Sequence, residues 1–382
     1  MRIGIIGAGQ LGRMLALAGY PLGLRFLFLD QSTDAPGAQV GPIICGAFDD
    51  PQRLAQLAGE VDLVTFEFEN VPVATLGTVA AARPFYPPVA ALGASQDRLD
   101  EKNLFRKLKI PTPRYAAVDS FADLQSAARD IGMPGVLKTR RLGYDGRGQF
   151  VVRSAADLEP AWAMLGSVPL IYERFVDFSR EVSIIGARST RGEIAFYPLT
   201  ANTHAGGILR YSIAPFRNTR LQQQAQVYLR RLLRHFDYAG VLTIEFFVAG
   251  GRLIANEMAP RVHNSGHWTI EGAQTSQFEN HLRAVLGLPL GSTRALGHSA
   301  MVNFIGTIPA PGNILQVSDV HLHSYGKEPR PNRKLGHCTV RAPSAGARDR
   351  ALRQLLKNLK PPAAFPERRP ARPHGRIRPK VD

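Results

Sequence analysis

The stretch Val241-Leu-Thr-Ile-Glu-Phe-Phe-Val-Ala-Gly-Gly-Arg-Leu-Ile-Ala-Asn-Glu-Met258 decides how this chain is read. Residues 241–248 and 253–258 have strand composition, and Ala249-Gly-Gly-Arg252 between them has that of a hairpin turn. Leu242, Ile244, Phe246 and Val248 fall on one face and Glu245 on the other. A loop centred on Gly251 sets Glu245 directly opposite Glu257, with Cβ atoms about 5 Å apart. Like charges so placed repel unless a cation lies between them. Two hard oxygen ligands with phosphates in reach suit Mg²⁺.

Working outward, Arg261-Val-His-Asn-Ser-Gly-His267 concentrates polar groups beside that pair. His263 and His267 lack a common helical face and a third ligand, which argues against zinc. His321 and His323 alternate on a strand, where a structural role is expected for at least one of them. Upstream, Lys138 ends an apolar strand over 135–139, and Gly143-Tyr-Asp-Gly-Arg-Gly148 follows it. A lysine on a strand beside a glycine loop is a recurrent way to hold nucleotide phosphates. A surface lysine before an ordinary turn accounts for this pair equally well. Helices are predicted over 96–108 with Ser95 as N-cap, over 119–131, and along Leu221, Ala225, Tyr228, Leu229, Leu232 and Phe236.

The first ninety residues alternate strands (3–6, 25–29, 63–68) with a helix over 10–18, which predicts a doubly wound parallel sheet. Gly7-Ala-Gly-Gln-Leu-Gly12 follows a strand, opens a helix and is answered by Asp30. That is the dinucleotide fingerprint in its usual context. The glycines by themselves show only that something approaches the backbone closely, so an NAD-dependent oxidoreductase stays a rival. Pro84, Pro87 and Pro88 mark a linker. Strands at 301–305 and 320–323 and a helix at 350–359 form a third pattern. From Pro361 the chain is rich in proline and arginine and too poor in aliphatics to order itself.

A hydrophobic content of 45% and a charged content of 20% over 382 residues suit a globular protein of two or three domains. No apolar run approaches the roughly 18 residues a membrane span needs. Two cysteines make no disulfide framework and fit a reducing cytoplasm. The net charge of +16 is concentrated: from Ser324 onward sixteen basic residues face four acidic ones. A nucleic acid, a phosphorylated small molecule or a merely solvated tail would each account for this, and the scarcity of aromatic residues among those arginines weakens the first.

Taken in order, Lys138, the 143–149 loop, Glu173, Glu181, Glu245 and Asn256-Glu257 resemble the ATP-grasp fold. Gly9-Gln-Leu-Gly-Arg13, Asp97-Arg-Leu99 with Lys102, the run Asn256–Trp268, Tyr325-Gly-Lys327 and Arg333-Lys-Leu-Gly-His337 narrow the resemblance to the N5-carboxyaminoimidazole ribonucleotide synthases of purine biosynthesis. It covers roughly 1–360. It implies an N-terminal doubly wound α/β domain (1–94), an α+β ATP-grasp domain (95–292), a small β-rich C-terminal domain (293–360) and a disordered basic tail (361–382). The implied reaction joins bicarbonate to 5-aminoimidazole ribonucleotide with ATP, by way of carboxyphosphate. ATP would meet Arg98, Lys138, Gly143, Tyr144, Asp145, Gly146, Arg147, Gly148, Gln149, Glu173, Arg174, Phe175, Val176, Glu181, His204, Asn256 and Glu257. Glu245 and Glu257 would hold Mg²⁺. Gln10, Leu11, Tyr144, Asp145, Lys327 and Arg333 would hold the ribonucleotide, with Arg261, His263 and Asn264 at the chemistry. The resemblance further implies a cytoplasmic homodimer with small-molecule partners and no nucleic acid or membrane. A formate-using glycinamide ribonucleotide transformylase is the nearest competing ligase. Ala201 and Gly206 stand where the family tends to carry acidic residues, and Asn332 stands for an expected glycine.

Overall fold

The computed structural model describes residues 1–143 and 146–359, so expectations for Tyr144, Asp145 and the basic tail lie outside the described residues. Three sheets organise the rest. β1 (Arg2–Ile6), β2 (Arg25–Asp30), β3 (Ile43–Cys45) and β4 (Leu63–Phe66) form the expected parallel sheet in the order β3-β2-β1-β4. β5 (Tyr115–Val118), β6 (Gly135–Thr139), β7 (Gln149–Val152) and β8 (Leu170–Arg174) form an antiparallel sheet ordered β5-β8-β6-β7. β9 (Arg180–Arg188), β10 (Ile194–Phe196), β11 (Thr200–Ala205), β12 (Ile208–Ala214), β13 (Gly240–Ala249), β14 (Arg252–Ala259), β15 (His298–Ile305), β16 (Val320–Ser324) and β17 (Lys334–Ala342) make one large sheet. Its order is β14-β13-β9-β11-β12-β15-β17-β16, with β10 on β9. The C-terminal strands therefore extend the central sheet through the β12–β15 pair.

Two local expectations need correction. The helix read over 96–108 is present as Arg98–Lys107, but it starts after Asp97, and a separate helix not predicted from the sequence, Val89–Gln96, ends just before it. Asp97 is extended and its carboxylate accepts from the Leu99 N–H at 2.9 Å, so it is the cap; the Ser95 hydroxyl donates to the Leu92 carbonyl instead. The proline segment is not a free linker. Phe85 bridges to Val64, whose N–H donates to the Pro84 carbonyl while its carbonyl accepts from Tyr86. Prolines lack donors but still offer carbonyls, which suits a sheet edge.

One hydrophobic cluster holds the three regions together. It contains Ile3 and Phe28 from the N-terminal sheet, Leu15 from the helix Gln10–Gly19, Ile185, Val241 and Trp268 from the centre, and Met301 and Tyr325 from the C-terminal region. Packing of this kind fixes the walls of the cleft that opens between them. Among the described residues no helix is long and apolar enough to cross a membrane.

Candidate active site

The carboxylate pair is where the hairpin was expected to put it, but by a different route. Ala249 pairs with Arg252, so the turn is Gly250-Gly251, both at positive φ. A regular ladder from that turn would set Glu245 against Asn256. The register shifts by one residue between Glu245 and Phe246, and this bulge brings Glu257 opposite Glu245. Each carboxylate has its own cationic or imidazole neighbour: Arg98 Nη1 lies 3.0 Å from Glu257 Oε2, and His263 Nε2 lies 3.3 Å from Glu245 Oε1. Burial, opposed by His204 and reinforced by Glu257 and Glu181, pushes Glu245 up to about 7. Burial opposes the charge on Glu257, but Arg98, joined by Lys138 and Lys102, holds that carboxyl below its ordinary range.

These groups line a cleft of about 650 Å³. On one side Lys138 Nζ donates to Glu173 Oε2 at 3.0 Å, and Lys102 lies 3.5 Å from the same oxygen. Burial alone would raise Glu173; Lys102 and Lys138 bring it down to about 2. Of the segment 173–176, expected beside adenine, only Phe175 reaches the lining, together with Phe178, Phe247, Val136 and Val151. Glu173 turns inward to the lysines, and Arg174 donates to the carbonyls of Ile131 and Met133. Gly143, Gly146 and Gln149 line the cleft, as do Glu181 and His204, which are 2.6 Å apart. Arg147 and Gly148 lie outside the lining. Ala201 is buried, and Gly206 turns at φ 62, where an acidic side chain would be strained.

On the other side Gln10 and Leu11 line the cleft, and Lys327 Nζ donates to Gln10 Oε1. Arg333 does not line it. Its guanidinium donates to the Glu328 carbonyl at 3.1 Å, and Lys334 takes the cleft position. Asn332 has φ 61, which explains the substitution: after glycine, asparagine tolerates that conformation best. Arg261 Nη2 lies 2.6 Å from Glu69 Oε1, and Asn264 exchanges two amide hydrogen bonds with Asn303. His263 is held well below its ordinary pKa by burial and by Arg261, so it is neutral. Its Nδ1 accepts from the Ser265 N–H at 3.3 Å, which leaves the proton on Nε2.

The glycine fingerprint at the N-terminus is already occupied. Glu67 accepts from the N–H groups of Gly9 and Gly12, and Asp30 accepts from Ala8. A Cβ on Gly9 would collide with Glu67 Oε1. The glycines admit the chain's own carboxylate to the helix N-terminus, and this removes the argument for a dinucleotide there. Glu67 and Glu69 were missed. Their signal was Phe66-Glu-Phe-Glu-Asn70 at the carboxyl end of a parallel strand, where such sheets place ligands. A larger groove of about 850 Å³, lined by Arg106, Tyr115 and Asp130, holds none of this chemistry.

A parallel N-terminal sheet, a glycine loop beside a strand lysine, and paired carboxylates on a hairpin across one cleft define an ATP-grasp enzyme. The family models agree: a ribonucleotide synthetase preATP-grasp domain matches residues 1–96, an ATP-grasp domain 103–278, and a phosphoribosylaminoimidazole carboxylase C-terminal domain 299–351. An N5-carboxyaminoimidazole ribonucleotide synthase of Pseudomonas aeruginosa is 56% identical over 89% of this chain and 94% of its own length. The Thermus thermophilus synthetase structure is 51% identical, covers 95% of this chain and 100% of its own, and superposes with a TM-score of 0.90. The Aspergillus clavatus synthase, solved with ADP and 5-aminoimidazole ribonucleotide, is 31% identical over 94% of this chain and 98% of its own, with a TM-score of 0.88. The chain belongs to the N5-carboxyaminoimidazole ribonucleotide synthase family. It is a ligase that carboxylates 5-aminoimidazole ribonucleotide in an ATP-dependent step of purine biosynthesis.

Proposed function

We propose that the two halves of the cleft divide the reaction between them. ATP phosphates meet Arg98, Lys138 and the 143–149 loop, with the purine ring among Phe175, Phe178 and Phe247. The ribonucleotide meets Gln10, Leu11, Lys327 and Lys334. The observation that carries this is the opposed pair Glu245 and Glu257, set between a lysine-and-arginine side and a Gln10–Lys327 side of one cleft. No group of three or more His, Cys, Asp or Glu among the described residues suits a metal. Two carboxylates completed by phosphate oxygens are the donor set Mg²⁺ prefers, so Glu245 and Glu257 would hold it. Bound there, Mg²⁺ supplies charge neutralisation during phosphoryl transfer.

Bicarbonate is a poor electrophile, and phosphorylation makes it carboxyphosphate. Arg261 holds that anion, and the His263 Nε2–H donates to it. Breakdown yields CO₂ and phosphate, and the closed site keeps CO₂ from water. The ribonucleotide amine adds to CO₂, forming the N–C bond of the carbamate, and its proton passes to the basic phosphate just released. His263 thus acts as a donor, since Nδ1 is already taken by Ser265. We further infer a cytoplasmic homodimer; sedimentation giving only a 41.8 kDa species would refute the dimer.

Phosphate release from ATP and bicarbonate, measured with and without the ribonucleotide, tests the division. Carbamate and ADP should form together, and Lys327→Ala should raise the ribonucleotide KM while leaving the ATP KM within about twofold. A rise in the ATP KM alone would reverse the two halves.

A further inference from the structure

At the ribonucleotide half, a buried aromatic row that the chemistry above does not use begins at Tyr325, on the cleft wall, and runs inward through His337 and His323. Tyr325 and His337 are 1% and 0% exposed, and the Tyr325 hydroxyl is hydrogen-bonded to His337 Nδ1 at 2.8 Å. His337 stacks on His323 with centroids 4.5 Å apart, and His323 Nε2 lies 2.6 Å from Glu271 Oε1. Buried polar pairs of this kind are kept where they specify one arrangement.

The strand register shows which arrangement. Asn303 pairs with His337, but Ile305 pairs with Lys334, because the β15–β17 ladder shifts at Phe304. The extra residue puts Lys334 on the same face as His337, although simple alternation would oppose them. Tyr325 is tied to this place twice, through its hydroxyl to His337 and through its N–H to the Leu335 carbonyl at 2.9 Å. The chain then turns at Gly326, with φ +68, where a Cβ would collide with Gln39 Nε2. Lys327, the next residue, reaches Gln10 across the cleft. A lysine has four rotatable side-chain bonds, so the direction of its ammonium depends on how firmly its backbone is held.

We propose that Tyr325, oriented by His337, is a positioning residue that aims Lys327 at the ribonucleotide phosphate; this rests on the assignment of Lys327 made above. Tyr325→Phe removes one hydroxyl and keeps the packing. It should raise the ribonucleotide KM about five- to tenfold, the loss of one buried hydrogen bond, with kcat and the ATP KM within about twofold. His337→Asn keeps an acceptor near the Nδ1 position and should stay close to wild type, whereas His337→Leu should behave like Tyr325→Phe. Because Tyr325 acts through Lys327, adding Tyr325→Phe to Lys327→Ala should change the ribonucleotide KM by less than about twofold. Full multiplication of the two effects, equal rises in both KM values, or a His337→Asn variant as impaired as His337→Leu would each overturn the proposal. A Lys327→Ala variant with an unchanged ribonucleotide KM would overturn the Lys327 assignment itself.

Discussion

Glu173 shows how much one buried charge organises. Lys102 and Lys138 both approach its Oε2, and all three side chains are buried. Removing one partner of such a group leaves uncompensated charge in the interior. Glu173→Gln should cost on the order of 3–5 kcal/mol, read from urea midpoints, and should raise the ATP KM by misplacing Lys138. The sign with pH follows from a carboxyl held at about 2: its contribution is complete above about pH 4.5 and is lost as pH falls towards 2. Glu257→Gln keeps shape but removes the charge opposite Glu245. Turnover should fall on the order of 10²–10³-fold, with the deficit largest at limiting Mg²⁺. On the ribonucleotide side, Lys334→Ala should raise that KM about tenfold, while Arg333→Lys should stay within about threefold, because the Arg333 guanidinium faces its own turn.

Among elements, the helix Gln10–Gly19 carries the loudest motif and the one most open to misreading. Its N-terminus has no side-chain cap from Gly9; Glu67, 58 residues on, accepts there instead. Burial raises the Glu67 pKa, and the N–H groups of Gly12 and Gly9 work against that rise. Gly9→Ala would drive a methyl into this carboxylate. We expect a loss on the order of 2 kcal/mol, several degrees in Tm. Equilibrium dialysis should show Mg-ATP bound and NAD(H) not bound. The hairpin β13–β14 teaches the same lesson about register. Its turn is centred between two glycines, and only the bulge at Asn256 brings the glutamates together.

For the whole molecule, the continuous sheet predicts which cuts are tolerated. Ending the chain at residue 292 would expose the β12 edge and the core around Met301, so insoluble protein is expected. Ending it at residue 359 leaves every contact among the described residues in place, and activity within about twofold is expected. His281 ties the N-terminal sheet to the centre. Its Nδ1 accepts from the Val241 N–H, and Nε2 lies 3.0 Å from Thr65 Oγ1. Burial lowers it to about 4. Protons therefore favour the unfolded chain as pH falls from about 6.5 to 4, a loss of up to about 3 kcal/mol from this one group. His281→Gln should destabilise the protein at pH 7 but narrow the gap between its melting points at pH 7 and pH 4.5. An unchanged gap would show that His281 carries no such linkage.

By itself the sequence determined the elements whose signals are local. Strand periodicity and turn glycines marked β6, β13 and β14, and apolar spacing marked the helix Thr219–His235. The motif runs were specific enough to reach the family. The tertiary structure alone decided who meets whom. Arg98 and Glu257 are 159 residues apart, and Glu67 and Gly12 are 55 apart. Bulges at Asn256 and Leu335 reassign faces that alternation would have fixed otherwise. The physical reason is range. Periodicity and turn conformation depend on a few neighbouring residues, whereas the partner of a buried charge is set by packing across the whole core.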